Sequence, residues 1–229
     1  MLTGVTITGA DDNTRHEDLL ALAQRYPFVE WGILASRKPP RARYPSLEWT
    51  NTLTSLPGRM TLALHVCGSL ARDLIDGSNL TCAVWAASRC FNRMQINGYV
   101  RSESVRAAAE VLPKVEFILQ CRSEADVQSV CLDAGEIRVR GGSASVLFDP
   151  SGGRGVEPFS WPRTPVGARL GFAGGIGPDN VVDVLREVGP RVPYWIDMET
   201  KVRTDELLDL QKVEQVLEAC APFVRAEIT

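Results

Sequence analysis

The feature that most constrains the fold of this chain is a regular alternation that runs along its 229 residues. Short apolar runs of strand length alternate with longer segments in which apolar residues recur at helical spacing. The run at residues 60–66 is almost unbroken, which suits a strand buried on both faces. Repeated strand–helix order implies parallel strands joined by right-handed crossovers. The sequence therefore predicts an α/β protein built around a parallel sheet.

About eight strand–helix units follow one another without a long linker. The predicted strands are residues 5–7, 28–34, 60–66, 93–96, 114–120, 145–148, 169–173 and 194–196. The predicted helices are residues 15–26, 69–75, 102–112, 123–132 and 209–220, with two more beginning near Ser46 and Asp179. Segment 78–88 is compatible with either helix or strand.

The choice of architecture lies between a closed barrel and an open, doubly wound sheet. No G-x-G-x-x-G motif follows the first strand, which weakens the open sheet. The length also fits one α/β barrel, since these commonly have about 250 residues. We therefore expect a single (β/α)₈ barrel, the TIM-barrel class, that spans residues 1–229 as one domain.

Composition and charge exclude several classes of function. The formal net charge is −3, so no overall positive field attracts nucleic acid or an anionic membrane. No apolar run reaches the roughly 18 residues of a membrane span, and no leader precedes the first strand, so a cytoplasmic location is expected. The six cysteines contain no C-x-x-C pair and there are two histidines, so neither a metal site nor a cofactor is expected. A homodimer is left open.

Active sites of (β/α)₈ barrels lie at the carboxyl ends of the strands. In this sequence, polar side chains follow most of the predicted strands. They are Thr8, Arg43, His65, Cys67, Gln95, Asn97, Gln120, Asp149, Asp197 and Glu199. The arginine-rich segment 37–43 is suited to clamping a carboxylate, although such charge runs are also typical of solvated surface.

Two glycine-rich segments stand out at the ends of predicted strands. Segment 149–155 begins with Asp149 and predicts either a mobile loop that closes over a substrate or an ordinary surface loop. Segment 173–180 leads into a predicted helix and contains Gly174 and Gly175. Glycine allows close approach to an anion, and free amides at a helix start bind phosphate, so this segment predicts a phosphate site rather than a simple turn.

Taken together, these segments resemble the phosphoribosylanthranilate isomerase family along nearly the whole chain. Leu147-Phe148-Asp149, the Gly-Gly-Arg-Gly of 152–155 and the Phe-Ser-Trp of 159–161 resemble its L-D, G-G-x-G and F-x-W. Residues 173–181 resemble its A/S-G-G-L-x-P-E-N-V. Shorter matches are residues 95–98 to Q-L-H-G, 43–46 to K-R-Y-I-S, and 196–197 to V-D.

The resemblance implies an Amadori-type isomerisation of a small phosphoribosyl amine, as in tryptophan biosynthesis. That reaction needs an acid to open the sugar ring and a base to remove the C2 proton. By resemblance, Asp149 is the general acid, Arg43 contacts the substrate carboxylate, and Gly174 and Gly175 hold phosphate. Further contacts are expected from Gln95, Asn97, Gly153, Gly155, Asp197, Glu199 and, for phosphate, Lys201.

Two positions depart from the family pattern. Thr8 stands where the family has its base, a cysteine, and a threonine hydroxyl is too weak an acid to be an alkoxide at neutral pH. Glu199 stands where a serine meets the phosphate, so either Lys201 or Arg203 supplies a cation there or the ligand carries no phosphate.

The sequence leaves the base and the reaction open. His65, Cys67, Asp11, Asp12 and Glu199 are the alternative bases, although packing is favoured for His65 and Cys67 and helix capping for Asp11 and Asp12. The leading hypothesis is an isomerase acting on a phosphorylated or carboxylated sugar derivative. The alternatives are a ligand-binding or regulatory barrel without turnover, and a lyase or aldolase, for which no lysine lies squarely at a strand end.

Overall fold

The computed structural model describes residues 1–38, 43–56, 58, 60–98, 103–190 and 192–224. Within them, eight parallel strands close into a barrel in which each strand pairs with the next and the last returns to the first. The strands are β1 (Leu2–Thr8), β2 (Val29–Ala35), β3 (Thr61–Val66), β4 (Arg93–Ile96), β5 (Glu116–Cys121), β6 (Ser143–Phe148), β7 (Leu170–Ala173) and β8 (Tyr194–Met198). The predicted fold class is confirmed, and the assignment of all residues to one domain stays a prediction.

Helices surround the barrel. In the described part of the chain they are α1 (His16–Arg25), α2 (Leu47–Ser55), α3 (Gly68–Asp76), α4 (Thr81–Ser88), α5 (Glu103–Val111), α6 (Val127–Val139), α7 (Val181–Val188) and α8 (Leu210–Cys220). The ambiguous segment 78–88 is therefore mostly helical. Ser102, the expected cap of the fifth helix, and Arg41 of the arginine-rich segment lie outside the described residues. No described helix is long and apolar enough to cross a membrane.

The crossover between β6 and β7 differs from the simple strand–helix alternation. Residues 149–169, all of which the structure describes, form no helix. This segment contains four prolines, at positions 150, 158, 162 and 165. A proline inside a helix removes a hydrogen bond and clashes with the preceding turn, so these prolines disfavour a helix here. Trp161 covers the strands here instead, with its ring 6.4 Å from that of Phe148 and 5.8 Å from that of Phe172.

The two faces of the strands differ in chemistry. Outward side chains pack against the helices, and Trp31, Phe117 and Phe172 are among the largest that are fully buried there. Because side chains alternate along a strand, Thr6 and Thr8 both point into the barrel. The inward face carries many buried polar side chains beside a small apolar cluster, which consists of Ile118, Leu147, Ala173 and Trp195.

The lower part of the interior is closed by a charged cluster. Arg93 Nη1 donates to Glu30 Oε1 over 2.9 Å, and Thr6 Oγ1 donates to the same oxygen over 2.8 Å. The Arg93 guanidinium lies 4.2 Å from the centre of the Trp195 ring and is also paired with Glu116. This charged cluster fills the layer beneath the carboxyl ends of the strands and borders a second cavity at their amino ends.

Candidate active site

A cavity of about 320 Å³ opens at the carboxyl ends of the strands, and residues of all eight strands or of the loops directly after them line it. The twelve residues that the sequence singled out for catalysis, substrate or phosphate all line this cavity. They are Thr8, Arg43, Gln95, Asn97, Asp149, Gly153, Gly155, Gly174, Gly175, Asp197, Glu199 and Lys201. Their individual roles stay predictions.

Asp149 follows β6 and is held by four hydrogen bonds. Its Oδ1 accepts from the amide and the hydroxyl of Ser151, over 3.1 and 2.8 Å. Its Oδ2 accepts from Gln120 Nε2 over 3.0 Å and from the amide of Gly153 over 2.8 Å. The loop after β6 therefore wraps around the carboxyl group and fixes its orientation. Sequence reasoning noted Gln120 only as a polar strand end and did not single out Ser151.

Asp197 on β8 is the second carboxyl group in the cavity. Burial raises its pKa to about 8, and the charges of Asp149, Glu199 and Glu30 act in the same direction, while a hydrogen bond from Thr8 opposes them. Thr8 Oγ1 donates to Asp197 Oδ1 over 2.9 Å. At neutral pH this carboxyl group is therefore mostly protonated.

His65 on β3 lies at the other side of Thr8. Its Nδ1 is 3.5 Å from Thr8 Oγ1, and its buried Nε2 has no hydrogen-bond partner among the described residues. Burial, with a contribution from Arg93, lowers the pKa of His65 to about 3. The imidazole is neutral at physiological pH.

Cys67 belongs to a chain of polar side chains on the β3–β4 side. Asn97 Nδ2 donates to Cys67 Sγ over 3.0 Å, and Gln95 Nε2 donates to Asn97 Oδ1 over 2.7 Å. Burial raises the pKa of the Cys67 thiol, although hydrogen bonds from Tyr44 and Asn97 oppose the rise. A thiol in this environment is a poor proton acceptor at neutral pH.

Arg43 is bound to carboxylates of the chain itself. It pairs through Nη1 with Glu199 and through Nη2 with Glu206 Oε2, the latter over 3.1 Å. Arg43 is thus the cation in hydrogen-bond contact with Glu199, and Arg203, one of the two cations expected there, lies close enough to Glu199 for their charges to interact. The Arg203 guanidinium itself is buried against the carbonyl of Gly9 and the Asp11 carboxylate.

Neither aspartate considered as a base after β1 lines the cavity. Asp11 pairs with Arg203 and accepts the amide of Asn13 over 2.9 Å. Asp12 accepts the amide of Ser46, the residue that caps α2, over 2.8 Å. Both carboxyl groups hold loops in place, but neither caps a helix, since α1 has no side-chain cap and α2 is capped by Ser46.

The glycine segment after β7 presents free backbone donors. Gly174 and Gly175 have φ angles of +119° and +63°, and their amides donate to no other residue in the described ranges. A side chain on either would collide with the loop after β6, at 3.0 Å from Val156 O and 2.6 Å from Glu157 N. Ile176 also lines the cavity but residues 177–181 do not, so loop amides rather than the start of α7 are the available donors.

Lys201 approaches the same glycine segment from the loop after β8. It belongs to a short 3₁₀ helix, Thr200–Val202, and its Cβ packs on Gly177. Its ammonium group makes no ion pair with any described carboxylate. No group of three or more His, Cys, Asp or Glu side chains within the described ranges is arranged to hold a metal ion.

Fold and cavity together define a (β/α)₈ barrel with a polar pocket that contains three carboxyl groups, those of Asp149, Asp197 and Glu199, and faces unpaired loop amides. No protein-family model matches the sequence, and no curated protein matches it either. Solved structures do share its fold. A monomeric form of the dimeric phosphoribosylanthranilate isomerase of Thermotoga maritima is 18% identical, with a TM-score of 0.63 over 97% of this chain and 100% of its own.

Two further isomerases of the same kind have this fold. One, in complex with reduced 1-(o-carboxyphenylamino)-1-deoxyribulose 5-phosphate, is 19% identical, with a TM-score of 0.62 over 97% of this chain and 100% of its own. The enzyme of Pyrococcus furiosus is 16% identical, with a TM-score of 0.58 over 96% and 99%. The resemblance inferred from sequence motifs is thus confirmed at the level of the fold.

Proposed function

We propose that this protein is an acid–base isomerase of the aldose–ketose type that acts on a small phosphorylated or carboxylated sugar derivative. The observation that carries the proposal is that Asp149 and the free amides of Gly174 and Gly175 share one cavity. A protein with this fold binds reduced 1-(o-carboxyphenylamino)-1-deoxyribulose 5-phosphate, a ligand with a carboxylate, a sugar chain and a phosphate.

The anionic end of the substrate is assigned to the glycine segment. Amides of Gly174 and Gly175 donate hydrogen bonds to phosphate oxygens, and the exposed Lys201 ammonium adds charge. Both glycines have positive φ angles, a backbone conformation that glycine adopts without steric cost.

Arg43 is the candidate for the carboxylate end of the substrate. Its bond to Glu199 is largely buried, whereas the Glu206 side chain is 68% exposed. A substrate carboxylate therefore competes with Glu206 for Nη2, while Glu199 keeps the guanidinium in place. The exchange replaces one carboxylate partner of the buried Arg43 guanidinium by another, so this charge stays paired.

Asp149 is assigned the acid step, which opens the sugar ring. All four of its partners donate to Asp149, because the Ser151 hydroxyl oxygen itself accepts from the amides of Arg154 and Gly155. Asp149 can therefore deliver a proton when the substrate oxygen takes the place of one of these donors.

The test measures conversion of phosphoribosylanthranilate by the purified protein, with product followed by chromatography. Because Thr8 cannot serve as a thiolate, we expect very weak conversion and failure to rescue a tryptophan auxotroph that lacks the isomerase. Asp149→Asn should lower the residual rate by at least about 100-fold. Asp12→Asn, which removes a carboxylate outside the cavity, is the matched control and should keep the rate. Equal rates in both variants would refute the role of Asp149.

A ligand-binding protein without turnover is the second candidate. It is favoured by the pairing of Arg43 with two internal carboxylates and by the absence of a cysteine at position 8. This second candidate would be supported if the protein binds phosphate but catalyses no proton exchange in a bound aminoketose. An aldolase is disfavoured, since Lys201 is the one lysine among the described residues that line the cavity and it lies beyond the end of β8.

A further inference from the structure

Three buried polar groups from three strands lie in a row at the floor of the cavity. They are Asp197 on β8, Thr8 on β1 and His65 on β3. The Thr8 hydroxyl oxygen is 2.9 Å from Asp197 Oδ1 and 3.5 Å from His65 Nδ1. The hydroxyl group is therefore the link between a carboxyl group and an imidazole that do not touch each other.

The contact between Thr8 and His65 crosses β2, and it depends on Gly32. This glycine is paired with Thr8 in the barrel register and faces the interior. A Cβ at position 32 would overlap Thr8 Oγ1 and lie 2.9 Å from His65 Cε1. The missing side chain leaves the gap through which the imidazole reaches the threonine.

The donors and acceptors of Asp197, Thr8 and His65 allow two arrangements of the protons among these three side chains. A hydroxyl has one proton, so when Thr8 donates to the Asp197 carboxylate, His65 Nδ1 must be the donor to Thr8. Nε2 then carries a lone pair. When Asp197 is protonated and donates to Thr8, the Thr8 proton points to Nδ1, and Nε2 carries hydrogen. The imidazole is neutral in both states.

We propose that Asp197, Thr8 and His65 form a proton relay that replaces the thiolate base of this site, with His65 Nε2 as the atom that accepts the carbon-bound proton of the substrate. The inference rests on the proposed isomerase function. His65 lines the cavity, and its Nε2 is buried without a partner among the described residues, as a group awaiting a ligand would be.

The step conserves protons and electrons. The C–H electron pair of the substrate becomes the C=C bond of an enamine as the π pair of the adjacent protonated C=N bond moves onto nitrogen, and the C–H proton binds to Nε2. The Nδ1 proton passes to Thr8 Oγ1, and the Thr8 hydroxyl proton passes to Asp197 Oδ1, which becomes a neutral carboxylic acid. Reversal of the relay returns a proton to the neighbouring carbon. In this scheme His65 is the catalytic residue, while Thr8 and Asp197 act through it.

The relay explains how a histidine in this environment can act as a base. Burial and Arg93 on β4 hold the pKa of His65 near 3, so an imidazolium ion is strongly disfavoured. The relay does not form an imidazolium ion, because His65 loses a proton from Nδ1 when it gains one at Nε2. The group whose charge changes is Asp197. Burial raises the pKa of Asp197 to about 8, helped by Asp149 after β6, Glu199 after β8 and Glu30 on β2. That value suits an acceptor that works near neutral pH.

The test is proton exchange rather than full turnover. The aminoketose 1-(o-carboxyphenylamino)-1-deoxyribulose 5-phosphate is incubated in D₂O with the protein, and deuterium uptake at C1 is followed by NMR, with binding measured by calorimetry. Thr8→Val and His65→Gln should each lower the exchange rate at least about 100-fold, with Kd changed less than about threefold. Thr8→Ser keeps the hydroxyl group and should retain exchange within about tenfold.

Thr50→Val is the matched control, since Thr50 is a buried threonine of α2 whose hydroxyl donates to the carbonyl of Ser46 and which does not line the cavity. It should exchange at the wild-type rate. The exchange rate of the wild-type protein should rise with pH to a plateau above about pH 8. Asp197→Asn should abolish the exchange and with it this pH dependence. Thermal unfolding of every variant checks that each is folded.

The outcomes separate the relay from the function on which it rests. If the wild-type protein exchanges the C1 proton, and Thr8→Val and His65→Gln exchange it equally fast, the relay is overturned and the isomerase function survives. If the wild-type protein binds the aminoketose without exchange at any pH, the isomerase function itself is overturned.

Discussion

Asp197 and His65 are buried in the barrel interior, and burial moves the pKa of each toward its neutral form. Asp197 has a pKa of about 8 in place of 3.8, so the folded chain keeps a proton that the unfolded chain releases. His65 has a pKa of about 3 in place of 6.5, so between these pH values the unfolded chain binds a proton that the folded chain does not bind. The two residues therefore give the stability opposite pH dependences.

These pKa values define the pH range in which each residue changes the free energy of unfolding. Asp197 lowers the free energy of unfolding as pH rises from about 4 to 8. His65 lowers it as pH falls from 6.5 to about 3. Between pH 4 and 6.5 the two effects oppose each other, and between 6.5 and 8 only Asp197 acts.

We predict that Asp197→Asn removes the loss of stability between pH 6.5 and 8. The wild-type free energy of unfolding should fall there by up to about 1.4 kcal/mol per pH unit, the value for one titrating group. Urea unfolding at closely spaced pH values measures it. The control Asp183→Asn changes an exposed aspartate of α7 and should keep the wild-type slope. A slope unchanged by Asp197→Asn would contradict the protonated state of this carboxyl group.

At the scale of elements, the loop after β7 and the loop after β6 depend on each other. Gly174 and Gly175 can lie against residues 156–157 only because they have no side chains. The loop after β6 also holds Asp149 through Ser151 and Gly153. The acid and the assigned phosphate site are therefore coupled through one loop.

We predict that Gly175→Ala weakens the binding of inorganic phosphate by at least about tenfold, since its Cβ would lie 2.6 Å from Glu157 N and displace the loop. The matched control is Gly167→Ala. Gly167 also has a positive φ, +75°, but a Cβ there meets nothing within 4 Å. Both variants should lose about 1 kcal/mol from backbone strain, and only Gly175→Ala should lose binding. Calorimetric titration with phosphate measures the difference, and equal affinities would exclude this segment as the site.

The elements that the sequence predicted well are those whose pattern is local. Runs such as 60–66 are apolar at almost every position, and such strands are hard to mistake. Segment 78–88 stayed ambiguous because α4 is apolar on nearly all sides and shows no helical period. The sequence predicts no helix between β6 and β7, and residues 149–169 form none, since four prolines interrupt this segment.

The candidate site was predictable as a set of residues but not as a set of contacts. Polar positions at strand ends identified the lining, because parallel strands of a barrel end at one face. The pairing of Arg43 with Glu199 joins positions 156 residues apart, and no local signal indicates it. The same is true of the Thr8–Asp197 bond, which spans 189 residues.

Over the whole molecule, the first and last units of the barrel are joined by the buried Arg203. Its side chain is 4% exposed and reaches from the loop after β8 to the Gly9 carbonyl and the Asp11 carboxylate after β1. Strand pairing between β1 and β8 closes the barrel below this point. Arg203 therefore connects the two ends of the chain at the rim of the cavity.

We predict that Arg203→Met lowers the free energy of unfolding by about 3–5 kcal/mol, because it leaves the Asp11 carboxylate buried beside an apolar side chain. Arg25→Met removes an arginine that also links distant parts of the chain, to Glu214 and Glu218, but at the surface. Arg25→Met should lower the free energy of unfolding by about 1 kcal/mol or less. Urea unfolding compares the two, and similar midpoints would show that Arg203 does not stabilise the closure.

The absent helix between β6 and β7 has a practical consequence. Trp161 lies half-buried in its place, stacked edge-on against Phe148 and Phe172, within the same loop that holds Asp149. Indole emission is sensitive to solvent, so this side chain is a built-in optical reporter of loop movement. The difference between the spectra of the wild-type protein and of Trp161→Phe isolates its signal from the other four tryptophans, and unlabelled compounds can then be screened for those that move the loop.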